Sequence, residues 1–209
     1  ANHAYLGPPM FVQLLRLPAP VRQQHDVSSL DCLVQTGAPC APAIKRKMID
    51  WLGPVIWEVY GASECSLISA SSSREWLERP GTVGRPLRRV VILDATGSPC
   101  PAGQMGEIYL DLTDLPGLRY QNARVRRRAV GPTDLVSVGD SGWLDTAGYL
   151  YLAGRIDEVI NNGRLKTYPE EIEQAILAHP AVGDCLVFPI ADPVWGQAIA
   201  AAVTAAAGQ

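Results

Sequence analysis

The sequence predicts an α/β protein with a partial parallel βαβ layer, a small antiparallel barrel-like part, and a truncated α+β subdomain at its C-terminal end. Three observations lead there. Residues 30–60 read as strand, helix, strand, and that order in so short a span makes the two strands parallel neighbours. From Gly81 onward, short apolar runs alternate with Gly-containing turns, as in antiparallel hairpins. Finally, 19 Gly and 17 Pro among 209 residues are too many breakers for an all-helical bundle.

Residues 5–17 (YLGPPMFVQLLRL) are apolar, and the Pro pair introduces a helix. Residues 21–29 are polar and read as loop. Leu30–Gln35 reads as a short strand and Thr36-Gly37-Ala38-Pro39 as a turn. Pro42–Leu52 reads as a helix, with Ile44, Met48 and Leu52 four apart on one face and Lys45, Arg46 and Lys47 expected towards water. Gly53-Pro54 ends it, and Val55–Tyr60 is the second strand. The turns at 36–39 and 60–64 then lie at the carboxyl ends of adjacent parallel strands, the edge where open α/β sheets bind ligands.

Beyond Gly81, Val90–Leu93, Glu107–Asp111, Leu135–Val138 and Tyr149–Ala153 read as strands. Residues 119–128 (RYQNARVRRR) are basic; a solvated charge run is favoured there over a site for an acidic ligand. Glu158–Ile160 and Leu165–Thr167 flank Asn161-Asn162-Gly163-Arg164, a hairpin signal. Pro169, followed by Glu170 and Glu171, starts a helix that Pro180 stops. Val182–Ile190 and Ala198–Val203 read as strands.

Composition narrows the function classes. Hydrophobic residues at 47% and charged residues at 19% support a real core. A net charge of −3 argues against a nucleic-acid binder held by phosphate contacts. No apolar run approaches the ~20 residues of a membrane-spanning helix, and no basic segment followed by an apolar one opens the chain. Five cysteines without a C-x-x-C pair fit thiols in a reducing compartment, so a cytoplasmic protein is expected.

Two places gather chemistry-bearing residues. Tyr60-Gly61-Ala62-Ser63-Glu64 ends a buried-looking strand with an aromatic ring, a hydroxyl and a carboxylate, a set suited to a base, a phosphate oxygen and a divalent cation. Taken alone, a capping turn with Ser63 as helix N-cap and Glu64 in the first turn is favoured. Asp140 follows one strand and Arg155 another, and together they could grip vicinal hydroxyls; alone, a surface salt bridge is the simpler reading. Cys65 reads as a buried, inert thiol. His3, His25 and His179 have no nucleophile pattern nearby, and no G-x-S-x-G occurs.

The order of motifs resembles a known family. TGAP (36–39), YGASE (60–64), GTVGRPL (81–87), PAGQMGEIYL (101–110), VGDSGWLDTAGYLYLAGRIDEVI (138–160), NNGRLKTYPEEIE (161–173) and HPAVGDCLVFPIADPVWGQ (179–197) run in sequence. The chain is thereby similar to the adenylate-forming, AMP-binding superfamily of acyl-CoA synthetases, peptide-synthetase adenylation domains and luciferases. KTYPEEIE is closest to the acyl-CoA ligase version. The resemblance implies two domains, a partial nucleotide- and acyl-binding part over 1–154 and a truncated small part over 155–209. It implies that Tyr60 stacks on adenine, Gly61 frees the turn, Ser63 binds the α-phosphate in place of the usual Thr, and Glu64 holds Mg²⁺. Asp140 would bind the ribose hydroxyls with Arg155 nearby. Gly37 and Ala38 would line the acyl–adenine floor, and Asp157 would be the hinge of the small domain. Residues 161–168 would form the thioester loop, with Arg164 where the family usually has Gly. AMP or ATP, Mg²⁺ and a small carboxylic acid or acyl substrate are the implied ligands, and use of CoA stays open.

The family's Ser/Thr/Gly-rich phosphate loop and its C-terminal lysine have no counterpart in these residues, and the chain starts at Ala1 rather than Met. A truncated or partial chain is therefore expected, unable to activate an acid with ATP alone. Two alternatives stand beside it. One is a repurposed hydrolase or cyclase on an acyl or polyketide-like substrate, with Glu64 and Asp140 as acid and base. The other is a non-catalytic assembly subunit. Strands Leu30–Gln35 and Val55–Tyr60 are expected to present bare edges, to be covered in a homo-oligomer or by a partner subunit.

Overall fold

The computed structural model describes residues 1–113, 126–162, 165–194 and 196–206. Most of the basic run, residues 119–125, and the hairpin tip at 163–164 lie outside the described residues. The chain opens with β1 (His3–Leu6), α1 (Pro8–Arg16) and α2 (Ala19–Gln23). Then come β2 (Cys32–Gln35), α3 (Pro42–Leu52), β3 (Ile56–Ala62) and β4 (Ser66–Ser72). A short α4 (Ser73–Glu78) leads to β5 (Thr82–Pro86), β6 (Val90–Leu93), β7 (Gly106–Asp111), β8 (Arg126–Val130), β9 (Thr133–Leu144) and β10 (Leu150–Arg155). After a 3₁₀ turn at Ile156–Glu158 follow β11 (Ile160–Asn162), β12 (Leu165–Thr167), α5 (Pro169–Leu177), β13 (Val182–Asp192) and β14 (Gly196–Ala205).

The fold is α/β, as expected, with one difference in how its parts join. The parallel layer and the antiparallel strands form one sheet, in the order β1-β2-β3-β4-β5-β10-β9-β7-β6, with β8 on β9. Among the described residues, β1, β2 and β3 are the strands that pair in parallel. The smaller sheet, β12-β11-β14-β13, is antiparallel and carries α5 against β13. The expected bare edges on β2 and β3 are overturned. β2 lies between β1 and β3, and β3 between β2 and β4, so the free edge of the parallel layer belongs to β1. The reason is that residues 3–6 form a strand of their own ahead of the apolar helix, and Ser66–Ser72 folds back as a strand instead of a helix.

α3 begins with Pro42 at its first position and ends on Gly53, whose φ of +81° closes the helix where a side chain would be strained. Its buried stripe is Lys45, Met48 and Ile49, at helical spacing i, i+3, i+4. The expectation that Lys45 faces water is thus wrong: it is 0% exposed. Phe11 from α1, Leu33, Met48, Ile49, Ile56 and Trp76 from α4 form the core on this side of the parallel strands. A second core, containing Tyr60, Cys65, Ile68, Val83, Ile108, Val138 and Leu150, fills the junction between β3–β4 and the antiparallel strands.

Candidate functional site

The parallel register fixes the first two parts of the site. Gln35 is paired with Glu58, so the turn at 36–39 and the hairpin after β3 leave the sheet at the same edge. That hairpin is tight. Ala62 pairs with Ser66, and Ser66 adopts φ +61°, a conformation non-glycine residues seldom hold. No helix follows Glu64, so Ser63 is not an N-cap; β4 begins two residues later, at Ser66. Ser63 is exposed and Glu64 half-buried at the hairpin tip, while Cys65 is buried beneath it. Burial pushes the Cys65 thiol up, as expected of an inert cysteine.

Three register slips converge here. On β4, Ile68 is passed over between the partners of Tyr60 and Gly61. On β10, Ala153 is passed over between the partners of Gly142 and Ser141. On β9, three residues, Val138, Gly139 and Asp140, oppose the single residue Ile108 of β7. Bulges bend a strand and re-aim its side chains. The β9 bulge needs Gly139, which sits at φ +87°; a Cβ there would lie 3.3 Å from the Arg155 guanidinium.

The bulge sends Asp140 to Tyr60. Tyr60 Oη donates to Asp140 Oδ2 at 2.6 Å, and Arg155 Nη1 donates to Oδ1 at 3.0 Å and to the Val138 carbonyl at 3.1 Å. Arg155 is directly opposite Asp140 in the β9–β10 ladder. Burial raises the Tyr60 phenol above its usual range, and the Asp140 charge adds to this. Tyr60 is therefore a protonated donor, and only 8% of it is exposed. Its accessible surface is small for a stacking platform, and its hydroxyl has a clear structural task. Each Asp140 oxygen keeps a free lone pair, and 14% of the side chain reaches solvent. That pair of acceptors fits two vicinal hydroxyls.

Beneath the 36–39 turn lies a polar cluster that the sequence reading does not foresee. Lys45 Nζ and Glu58 Oε2 form a buried ion pair, with Lys45 also 5.0 Å from the centre of the Trp76 ring. Burial lowers Lys45 and raises Glu58, and their mutual contact opposes both shifts. Gln35, 1% exposed, donates through Nε2 to the Ala38 carbonyl at 3.2 Å, and its Oε1 has no partner. Cys40 borders the pair, and burial pushes its thiol up to about 12. A signal existed. Lys45 stands three and four residues before Met48 and Ile49, and Glu58 alternates with Ile56 and Tyr60, so opposite charges fall on two apolar stripes.

Asp157, the expected hinge, lies in the 3₁₀ turn and pairs with Arg126 Nη2 of β8 at 2.5 Å. Arg126 also approaches Glu107 Oε1 at 3.5 Å. The arrangement therefore brings Tyr60, Asp140 and Arg155 into direct contact and places 36–39 and 61–64 on one edge. Asp157 has its own partner, Arg126. No cluster of three or more His, Cys, Asp or Glu suited to a metal occurs among the described residues. A single carboxylate such as Glu64 fits Mg²⁺ only where phosphate oxygens and waters complete the shell, the usual mode for this ion. No helix among the described residues is long and apolar enough to cross a membrane.

Comparisons with known proteins bear on the family and the fold. The profile of the AMP-binding enzyme family matches residues 1–113, and that of the AMP-binding enzyme C-terminal domain matches residues 171–209. An uncharacterised acyl-CoA ligase of Bacillus subtilis (strain 168) is 33% identical over 174 residues, 82% of this chain and 35% of that protein. An amide bond synthetase of Marinactinospora thermotolerans is similar in structure, with TM-score 0.83 and 30% identity over 100% of this chain and 43% of its own. The o-succinylbenzoate CoA synthetase of Bacillus subtilis, solved with its acyl-adenylate intermediate, gives TM-score 0.76 and 25% identity over 99% of this chain and 42% of its own. The chain spans about a third of the length of the curated relatives it matches.

Proposed function

Because the chain belongs to the AMP-binding enzyme family, we propose that it carries the adenosine-facing wall and acyl floor of an acyl-adenylate site in an acyl-CoA ligase-like enzyme. The single observation that carries this reading is the Asp140 carboxylate, re-aimed by a bulge, fixed by Tyr60 and Arg155, and left with two lone pairs at the ligand edge of the sheet. Vicinal ribose hydroxyls are the pair of donors such a group fits. Gly37 and Ala38 form the opposite lip, Ser63 offers a hydroxyl to the α-phosphate, and Glu64 would hold Mg²⁺ once phosphate oxygens are in place. Mg²⁺ would supply charge neutralisation there. Relatives include a ligase solved with an acyl-adenylate, which supports the assignment of ligand class.

The test is calorimetric titration of the 209-residue chain with AMP. The reading expects binding, weakened in Asp140→Asn by about 1.5–3 kcal/mol, the scale of hydrogen bonds to a charged group. The substitution keeps shape and removes charge. Equal affinity in the two proteins, or no AMP binding by the folded wild type, would overturn it.

A further inference from the structure

The Lys45–Glu58 pair is buried, with Gln35 opposite Glu58 in the ladder and Cys40 of the 36–41 loop beside it, next to the loop that the proposed site uses as its floor. Glu58 lies in register with Gln35, and both side chains are buried on the face that α3 covers. Lys45 comes down from the first half of α3 onto Glu58. Residues 36–41 are the whole connection between β2 and α3, so both ends of this loop are anchored to one buried cluster. Between them, the Gln35 amide reaches forward to the carbonyl of Ala38. A buried ion pair is a poor source of net stability, because two charges lose water for one contact. Its retention under a ligand loop is better explained by what it holds in place.

We propose that Lys45, Glu58 and Gln35 are positioning residues that hold the 36–39 turn in its ligand-ready shape; the inference rests on the reading of this edge as the acyl-adenylate site. The pair fixes α3 against β3, which sets the distance the loop must span. Gln35 then selects one loop conformation through the Ala38 carbonyl. Its unpartnered Oε1 marks where the cluster accepts an imperfect hydrogen-bond arrangement for the sake of that geometry.

The variant to make is Lys45→Met with Glu58→Leu, which removes both charges and keeps apolar volume, so the fold should survive. Two measurements follow. Backbone ¹⁵N order parameters of Gly37 and Ala38 should be near ~0.85 in the wild type and fall below ~0.6 in the double variant. AMP affinity should drop about tenfold if the competent loop conformation falls to about a tenth of the population. The melting temperature should stay close to that of the wild type, far above that of Lys45→Met alone. A folded double variant with unchanged order parameters and unchanged affinity would overturn the proposal. Should the double variant fail to fold, Gln35→Ala leaves the ion pair in place and must loosen Ala38 by itself; a rigid Ala38 there overturns the proposal equally. Absence of AMP binding in the wild type would sink the functional reading, while the order parameters still decide this one.

Discussion

Tyr60 and Asp140 are 80 positions apart in the chain, and the phenol of one donates to the carboxylate of the other at 2.6 Å. The bond joins the parallel layer to the long antiparallel strand β9. It makes Tyr60 part of the machinery that orients Asp140. Tyr60→Phe removes only the hydroxyl and should weaken AMP binding by about 0.5–1.5 kcal/mol, the net worth of one hydrogen bond. Tyr60→Ala also removes a ring that is packed in the core and should cost roughly 3–5 kcal/mol of folding stability, the scale of an aromatic truncation in a core. Titration calorimetry reads the first and urea unfolding the second; Tyr60→Phe binding as the wild type would show that Asp140 is oriented without it.

Glu170 gives a pH prediction. Its carboxyl lies against Gly154 with Oε2 buried and unpartnered, and burial raises it above the usual carboxylate range, with Glu158 and Glu173 adding repulsion. A carboxyl raised in the folded state favours folding when protonated. Its contribution is therefore complete below the unfolded value of about 4.3 and disappears as pH rises through the folded value. Glu170→Gln should stabilise the protein near pH 7 by about 1 kcal/mol, the lower end for an unpaired buried polar atom. The gain should vanish below about pH 4. Urea unfolding at both pH values checks the sign.

Lys45 and Glu58 should be strongly coupled in stability. Lys45→Met alone leaves the Glu58 carboxylate buried without its partner, which should cost about 3–5 kcal/mol. Adding Glu58→Leu should restore most of that loss. A double-mutant cycle by denaturant unfolding measures the coupling, and additive losses would mean that the two charges do not support one another.

Arg126 and Asp157 make the opposite kind of pair. Their side chains are 42% and 65% exposed. Arg126→Ala should change stability by less than ~1 kcal/mol, and high salt should mimic it in the wild type. A larger loss would assign the 3₁₀ turn a heavier role in holding the chain together.

ATP-dependent activation needs positive charge on the polyphosphate and on the attacked centre. The lysines that the family resemblance implies for this role match no motif in these 209 residues. We therefore expect the chain alone to give no ATP–pyrophosphate exchange with any carboxylic acid, in an isotope-exchange assay. Exchange that disappears in Glu64→Ala would contradict this.

The β2–α3–β3 unit was legible because Gly and Pro punctuate it and its apolar spacings are regular. The strand Ser66–Ser72 was not, since SLISASS carries hydroxyls at positions that turn out to be buried. Those hydroxyls are tolerable because the structure gives them partners; Ser69 Oγ donates to the Val83 carbonyl at 2.8 Å. The following helix did leave a trace. Ser72 and Glu75 form a capping box, readable as S-x-x-E. At the site, residue types and motif order indicated Tyr60, Asp140 and Arg155. The bulges that join them could not be read, because a slip of register depends on pairing between distant strands and leaves no period in the sequence. The charge of Lys45 argues for water, but its place three and four residues before Met48 and Ile49 puts it on the buried stripe of the helix.

Strand β9 runs for 12 residues and is paired along both edges, with β7 on one side and with β8 and then β10 on the other. Elements bonded on two sides open only when much of the sheet opens, whereas single-edged ones fray alone. Asp140 therefore rides on a strand held from both sides, while Glu64 hangs on a hairpin tip. On the proposed reading, a ligand reaching this edge would meet a pre-set Asp140 carboxylate and a more adjustable tip at Ser63 and Glu64. Amide exchange should report the difference directly, slow at Ser141 and Gly142 and fast at Ser63 and Glu64.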